Sequence, residues 1–183
     1  NIIDPIHGED IVLTIDSELQ YISENLCVDA IKATKAFKCS VVFVNAENGE
    51  ILISAEKSNT NNIYFDINLI SGRALYEPGS ALKIFTVGSL LDNELVNEND
   101  IYYVEDKIEI IEGSCNESYE GLKGCFRDFL NHEPYQLTVK EIIERSSNVG
   151  TIKVTEASSV SEIENFLIRF GFSEKTGVEL TGE

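Results

Sequence analysis

Residues 40–55 read SVVFVNAENGEILISA, and no other stretch restricts the fold as strongly. Two β-rich runs, SVVFVN and EILISA, are joined through Ala46, Glu47, Asn48 and Gly49. An Asn-Gly pair between such runs is a strong signal for an antiparallel hairpin. Ahead of it lies an extended segment at residues 11–15, then Asp16 as the expected N-cap of a helix with Glu18 in its first turn. Leu19, Ile22, Leu26, Ala30, Ala33 and Phe37 recur at helical spacing and predict an amphipathic helix that buries this stripe. After the hairpin, residues 56–62 turn polar and read as a surface loop.

Helices dominate the remaining two thirds of the chain. Ile84, Phe85, Val87, Leu90 and Leu91 give a helix with a largely apolar face, and residues 92–100 form an acidic connection. The alternating DKIEIIE predicts a strand or β-arm. Residues 137–156 read as helix, first TVKEIIERS and then NVGTIKVTEA with a kink at Gly150, and residues 161–170 as a short helix stopped by Gly171 at the C′ position. The class is α+β. No Gly/Pro linker or internal repeat forces a boundary, so residues 1–183 read as one domain. Its first part, 1–57, is strand, helix and hairpin, and 58–183 is mostly helical.

Composition excludes several function classes. The 183 residues carry 32 acidic against 14 basic side chains, a formal charge of -18. Nucleic acid and anionic lipid are therefore poor partners. With 43% hydrophobic residues the chain can bury a substantial core. No apolar run approaches the roughly 18 to 20 residues that span a bilayer, and a chain starting at Asn1 without a signal-like segment reads as processed or cut from something longer. Cys27, Cys39, Cys115 and Cys125 form no C-x-x-C pair, and His7 and His132 stand alone, so neither a metal nor another cofactor is expected. Cys27 and Cys39 read as buried free thiols. Cys115 and Cys125 bracket a polar loop that a disulfide would close in an oxidising compartment, a pairing that spacing alone leaves open. Both histidines read as surface or loop residues.

The candidate chemistry begins at YEPGSALKIFT, residues 76–86. Pro78 disfavours helix at Glu77, Gly79 tolerates unusual backbone angles, and Ser80 then opens an apolar helical run. A hydroxyl there sits at a positive helix end. Ser80 and Lys83 lie three apart, which in a helix puts both on one face. The amine is a base for the hydroxyl only while neutral, and its apolar neighbours Leu82, Ile84 and Phe85 supply desolvation. The same S-x-x-K spacing recurs at Ser54 and Lys57 near a strand end, so the four residues alone are a weak signal. A second group is Ser146, Ser147 and Asn148, on a bend between helices, where a hydroxyl can relay a proton and an amide can hold a peptide. It too has decoys, at Ser23 to Asn25 and Ser114 to Asn116. Capping or solvation is their ordinary explanation.

Longer strings separate the chosen copies from the decoys. LTIDSELQ, VVFVNAENGEILISA, YEPGSALKIFT and SSNVGTIKV, in that order, resemble the transpeptidase domain of penicillin-binding proteins, a family marked by S-x-x-K, a Ser/Asn motif and K-T-G. The resemblance runs from Gly8 to Glu183 and is nearer the class B type, with the cell-division branch favoured. It implies the penicillin-binding and serine β-lactamase-like fold, incomplete here, with a helical subdomain and part of an antiparallel sheet.

It also implies an acyl-enzyme mechanism on a peptidoglycan stem peptide ending in D-Ala-D-Ala, with β-lactams as acylating mimics. Ser80 would be the nucleophile, Lys83 its base, Ser146 a proton relay and Asn148 a substrate-binding residue. A domain on the outer side of the bacterial membrane, anchored in the full-length protein, and other cell-wall synthesis proteins as partners are further implications. The chain does contain Lys175-Thr176-Gly177, but these residues follow a helix and Gly171 directly. The strand-borne third motif is expected beyond residue 183, and turnover by this chain alone is expected to be weak or absent. A β-lactam-hydrolysing or sensing relative and a non-catalytic scaffold are the alternatives.

Overall fold

The computed structural model describes residues 8, 10–60, 63–66, 77–116 and 123–177, so His7 lies outside the described residues. The chain divides into two compact units, the first built on residues up to Leu75 and the second on Tyr76–Val178.

In the first unit α1 (Ser17–Thr34) precedes an antiparallel sheet of β1 (Lys38–Val44), β2 (Ile51–Thr60) and β3 (Ile63–Asp66), in the order β1-β2-β3. Asp16 caps the helix as expected, its carboxylate accepting from the N–H groups of Glu18 and Leu19 at 3.0 Å. The hairpin also forms, with Gly49 at φ 78° and Asn45 N–H donating to Glu50 O. A turn of this hand needs the left-handed region that glycine enters without steric penalty.

The buried face of α1 differs from the expected stripe. Cys27 and Ile31 are each 1% exposed, whereas Leu26 is 62% and Phe37 71% exposed. Polar side chains fix the rotation. Gln20 exchanges two hydrogen bonds with the Ser54 backbone, at 2.9 and 3.0 Å, and Glu24 pairs with Lys57 at 3.1 Å. Cys27 is bonded to Cys39, so neither is a free thiol. That bond pins the helix to the start of β1 one register position away from the side carrying Leu26. Residues 56–60 are likewise strand, in contrast to the loop expected from their side chains. Backbone pairing with both β1 and β3 outweighs their polarity, and Glu56 and Ser58 are buried.

The second unit opens with a 3-10 turn (Gly79–Leu82) running into α2 (Lys83–Asp92). Four short strands come next, paired two by two: β4 (Ile101–Val104) with β7 (Tyr135–Thr138), and β5 (Lys107–Glu109) with β6 (Cys125–Arg127). Three helices complete it, α3 (Val139–Glu144), α4 (Asn148–Thr155) and α5 (Val160–Arg169). Val87, Leu90, Val104, Leu137, Ile142 and Val149 lie at the centre of its core.

Both α3 and α5 start with capping boxes, from Thr138 and Glu141 and from Ser159 and Glu162. Gly171 stands at C′ of α5 as expected, with the Phe172 N–H on Leu167 O and the Gly171 N–H on Ile168 O. Phe172 and Phe170 then close on Phe85 of α2, ring centroids 5.0 and 5.5 Å away. The helical segment expected over 137–156 starts later and divides at the expected bend, with no kink at Gly150. Leu137 and Thr138 end β7, the break falls at residues 145–147, and Gly150 is inside α4.

Gly150 is there because two helices meet at its Cα. A Cβ would lie 2.8 Å from Ile142 Cγ1 and 2.9 Å from Ser147 Oγ. Gly150→Ala is therefore expected to destabilise by about 1 to 3 kcal/mol, overpacking outweighing the roughly 1 kcal/mol of helix propensity that alanine brings. Urea unfolding checks this, and a neutral or stabilising result would mean the α3–α4 contact yields easily.

Candidate active site

Gly79 has φ 58°, a conformation open to glycine and strained for other residues, and this bend leads Ser80 into the 3-10 turn. Residues 77–82 are exposed, so the Ser80 hydroxyl is at the surface of the unit. Lys83 begins α2 one turn later, its N–H bonded to the Ser80 carbonyl. Its ammonium turns to the break between α3 and α4, donating to Ser146 O at 2.5 Å and to Ser146 Oγ at 3.2 Å.

Lys83 is half-buried, and of the apolar neighbours expected to desolvate it Leu82 and Ile84 are exposed while Phe85 is half-buried. Burial pushes the Lys83 pKa below the usual lysine value of 10.5, and the Asp128 carboxylate acts in the opposite sense.

Ser146 sits at φ 54°, left-handed for a residue with a Cβ. Such a conformation persists only where its surroundings hold it. Here they do so from both sides. The Ser146 and Ser147 N–H groups bond back to Ile143 O and Ile142 O, and Ser147 caps α4, accepting from Gly150 N at 2.8 Å. Asn148, first residue of α4, donates from Nδ2 to Arg127 O at 2.6 Å. The structure thus brings Ser80, Lys83, Ser146 and Asn148 into one unit, with Lys83 and Ser146 in contact.

The decoys are placed elsewhere. Ser54 and Lys57 are on β2, where Lys57 meets Glu24, and Ser23 to Asn25 are inside α1. Lys175 and Gly177 are exposed and carry no strand.

Asp128, directly after β6, is the residue that sequence reading missed. Its carboxylate accepts from Ser147 Oγ at 2.7 Å, Asn148 N at 2.6 Å, Val149 N at 3.0 Å and His132 Nε2 at 3.2 Å. Burial alone would raise its pKa. The hydrogen bonds from Val149, Ser147, His132 and Asn148 outweigh burial and hold it below the ordinary 3.8. No local pattern announces this residue, which lies 19 to 21 positions before Ser147, Asn148 and Val149.

His132 is a loop residue as expected but only half-buried, stacked on Tyr135 at 4.2 Å as well as bonded to Asp128. These side chains, with Arg145 and Ser146, line a cavity of about 410 Å³. Among the described residues no three His, Cys, Asp or Glu side chains are grouped so as to hold a metal ion. Cys115 and Cys125 are bonded, closing the loop between β5 and β6.

A family model described as the penicillin binding protein transpeptidase domain matches residues 39–183. Penicillin-binding protein PbpB of Mycolicibacterium smegmatis is 29% identical over 98% of this chain and 27% of its own length. Peptidoglycan D,D-transpeptidase FtsI of Buchnera aphidicola is 29% identical over 100% of this chain and 31% of its own length. The chain thus spans roughly a quarter to a third of the curated relatives it matches. Among solved structures, penicillin binding protein 3 from Mycobacterium tuberculosis superposes with a TM-score of 0.79 at 25% identity, covering 97% of this chain and 39% of that one. The α+β fold of the two units is the fold of such domains.

Proposed function

This chain belongs to the penicillin-binding protein transpeptidase family, and on that premise we propose that it carries the acylation half of a peptidoglycan D,D-transpeptidase site of the class B, cell-division type. The substrate is a stem peptide ending in D-Ala-D-Ala. Ser80 Oγ attacks the penultimate carbonyl, and Lys83, in its neutral form, takes the hydroxyl proton. The departing D-alanine amine receives a proton through Ser146. Asn148 orients the bound peptide. An amine from a second stem peptide then displaces Ser80 from the ester and forms the cross-link. β-Lactams acylate the same hydroxyl.

The observation that carries this reading is the Lys83 contact with Ser146, one helical turn from Ser80 in a half-buried setting that favours the neutral amine. The two disulfides fit an oxidising compartment outside the cytoplasm. No helix among the described residues is long and apolar enough to cross a membrane.

The test is covalent labelling of the full-length protein by a fluorescent penicillin. The expected result is one label per chain, mapped by mass spectrometry to the peptide holding Ser80 and absent from Ser80→Ala. A label that survives that substitution overturns the assignment.

A further inference from the structure

We propose that Asp128 is a positioning residue for the acylation step: one carboxylate fastens the Ser146 to Asn148 turn to the end of β6 and sets the electrostatic field at Lys83. The proposal rests on the acyl-transfer reading above. It goes beyond it because neither the S-x-x-K nor the Ser/Asn motif contains this residue.

The geometry gives Asp128 both tasks. One oxygen accepts from the N–H groups of Asn148 and Val149, the free donors at the start of α4, and the other from Ser147 Oγ. Ser147 Oγ in turn accepts from Gly150 N, so the cap and the carboxylate form one chain of hydrogen bonds. The Asp128 N–H is held by Asp106 O, and the preceding Arg127 carbonyl takes the Asn148 amide. Both functional side chains of this turn are therefore referenced to one strand end. Ser146 is locked at its positive φ against Lys83, and Asn148 is fixed at backbone and side chain. A displacement of either reacting group by an ångström is enough to slow acyl transfer strongly.

The second task is electrostatic. Asp128 favours the ammonium form of Lys83, against the desolvation that favours the amine. The carboxylate is already shared with Ser147, Asn148, Val149 and His132, so it acts on Lys83 as a field and not as a partner that would hold the proton. Two further side chains that can carry charge line the same cavity, His132 from the loop between β6 and β7 and Arg145 from the turn between α3 and α4. His132 is the other titratable group on this carboxylate.

The test compares penicillin acylation rates across pH for the full-length protein and two variants. Asp128→Asn keeps the shape and removes the charge. It is expected to slow acylation roughly ten- to a hundredfold at the plateau, because two backbone N–H groups lose an ionised acceptor. It is also expected to move the acid limb of the profile to lower pH, since Lys83 then sheds its proton more readily. Ser147→Ala loses one anchor and keeps the charge, so it should slow the reaction without moving the limb. The Asp128→Asn displacement is expected to persist in a His132→Gln background, which takes His132 out of the profile.

An acid limb that stays in place in Asp128→Asn, or a plateau equal to that of the parent, overturns the proposal. Absence of labelling in the parent protein would instead remove the acyl-transfer reading. The field is tested separately from catalysis by the midpoint of the Lys83 side-chain ¹⁵N resonance, assigned by its loss in Lys83→Arg. The midpoint should fall in Asp128→Asn, and an unchanged midpoint refutes the electrostatic part whatever the acylation assay gives.

Discussion

Lys83→Ala is expected to lower the rate of penicillin acylation at Ser80 by about a thousandfold or more, the span that a positioned general base contributes. Lys83→Arg is expected to do nearly the same, and that pair of results decides between two roles. If Lys83 were only a clamp on the α3–α4 turn, arginine, which also donates to carbonyl and hydroxyl oxygens, would preserve most of the rate. A guanidinium does not lose its proton in the working range, so it cannot take one from Ser80.

The pH profile of the parent protein carries the same information with a definite sign. Burial lowers the Lys83 pKa from 10.5. The neutral fraction, and with it the acylation rate, therefore rises with pH through that lowered value, and the limb should disappear in Lys83→Arg. Acylation in Lys83→Arg within a few-fold of the parent would end the case for Lys83 as base. A circular dichroism spectrum unchanged from the parent confirms that each variant is folded.

The parts of the fold that are legible in the sequence are those whose signal is local. Asp16, the Asn48-Gly49 turn and Gly171 act on backbone groups within a few residues, and each stands where its chemistry requires. Ser80 and Lys83 are legible for the same reason, since one helical turn relates them. Partners far away in the chain set the features that escape. The α1 periodicity of Leu19, Ile22 and Leu26 is a valid apolar stripe, but Gln20, Glu24 and Cys27 bind β1 and β2 and turn the neighbouring face inward.

Residues 56–60 look like a loop by side chain, yet they are strand because both flanking strands offer backbone partners. Sequence alone places the bend of the 137–156 segment at Ser146 to Asn148, where the break is found, but adds a kink at Gly150 because glycine is the usual breaker. The cause of the break is Ser147, which caps a new helix and is braced by Asp128. Glycine serves there for close packing. Asp128 itself needs β6 to be folded before it has anything to hold.

That dependence leads to the second large effect, expected on removing the Cys115–Cys125 bond. The pairing of β5 with β6 covers Lys107 with Arg127, Ile108 with Phe126 and Glu109 with Cys125, with one backbone hydrogen bond beyond each end, and a ribbon this short is marginal in water unless something staples it. The disulfide joins residues 10 apart at a Cα separation of 4.9 Å, and the Glu109 carboxylate helps by accepting from Gly113 N and Cys115 N at 3.0 and 3.2 Å. Closing a loop of this length is worth roughly 2 to 3 kcal/mol. Cys115→Ser with Cys125→Ser is expected to lower unfolding free energy by about that amount.

The effect should reach the chemistry as well. Arg127 and Asp128, which hold Asn148 and Ser147, lie at the far end of the same short strand, so a looser β6 means a looser Ser146 to Asn148 turn. Acylation by penicillin is therefore expected to slow at a temperature where the variant remains folded. The control is Cys27→Ser with Cys39→Ser, which removes a cross-link of similar span, 12 residues, from elements that carry none of these anchors. It should lose stability without slowing acylation. Equal slowing in the two pairs would reduce the effect to general destabilisation, while slowing confined to the Cys115 and Cys125 pair would make the β5–β6 ribbon a part of the active site's frame.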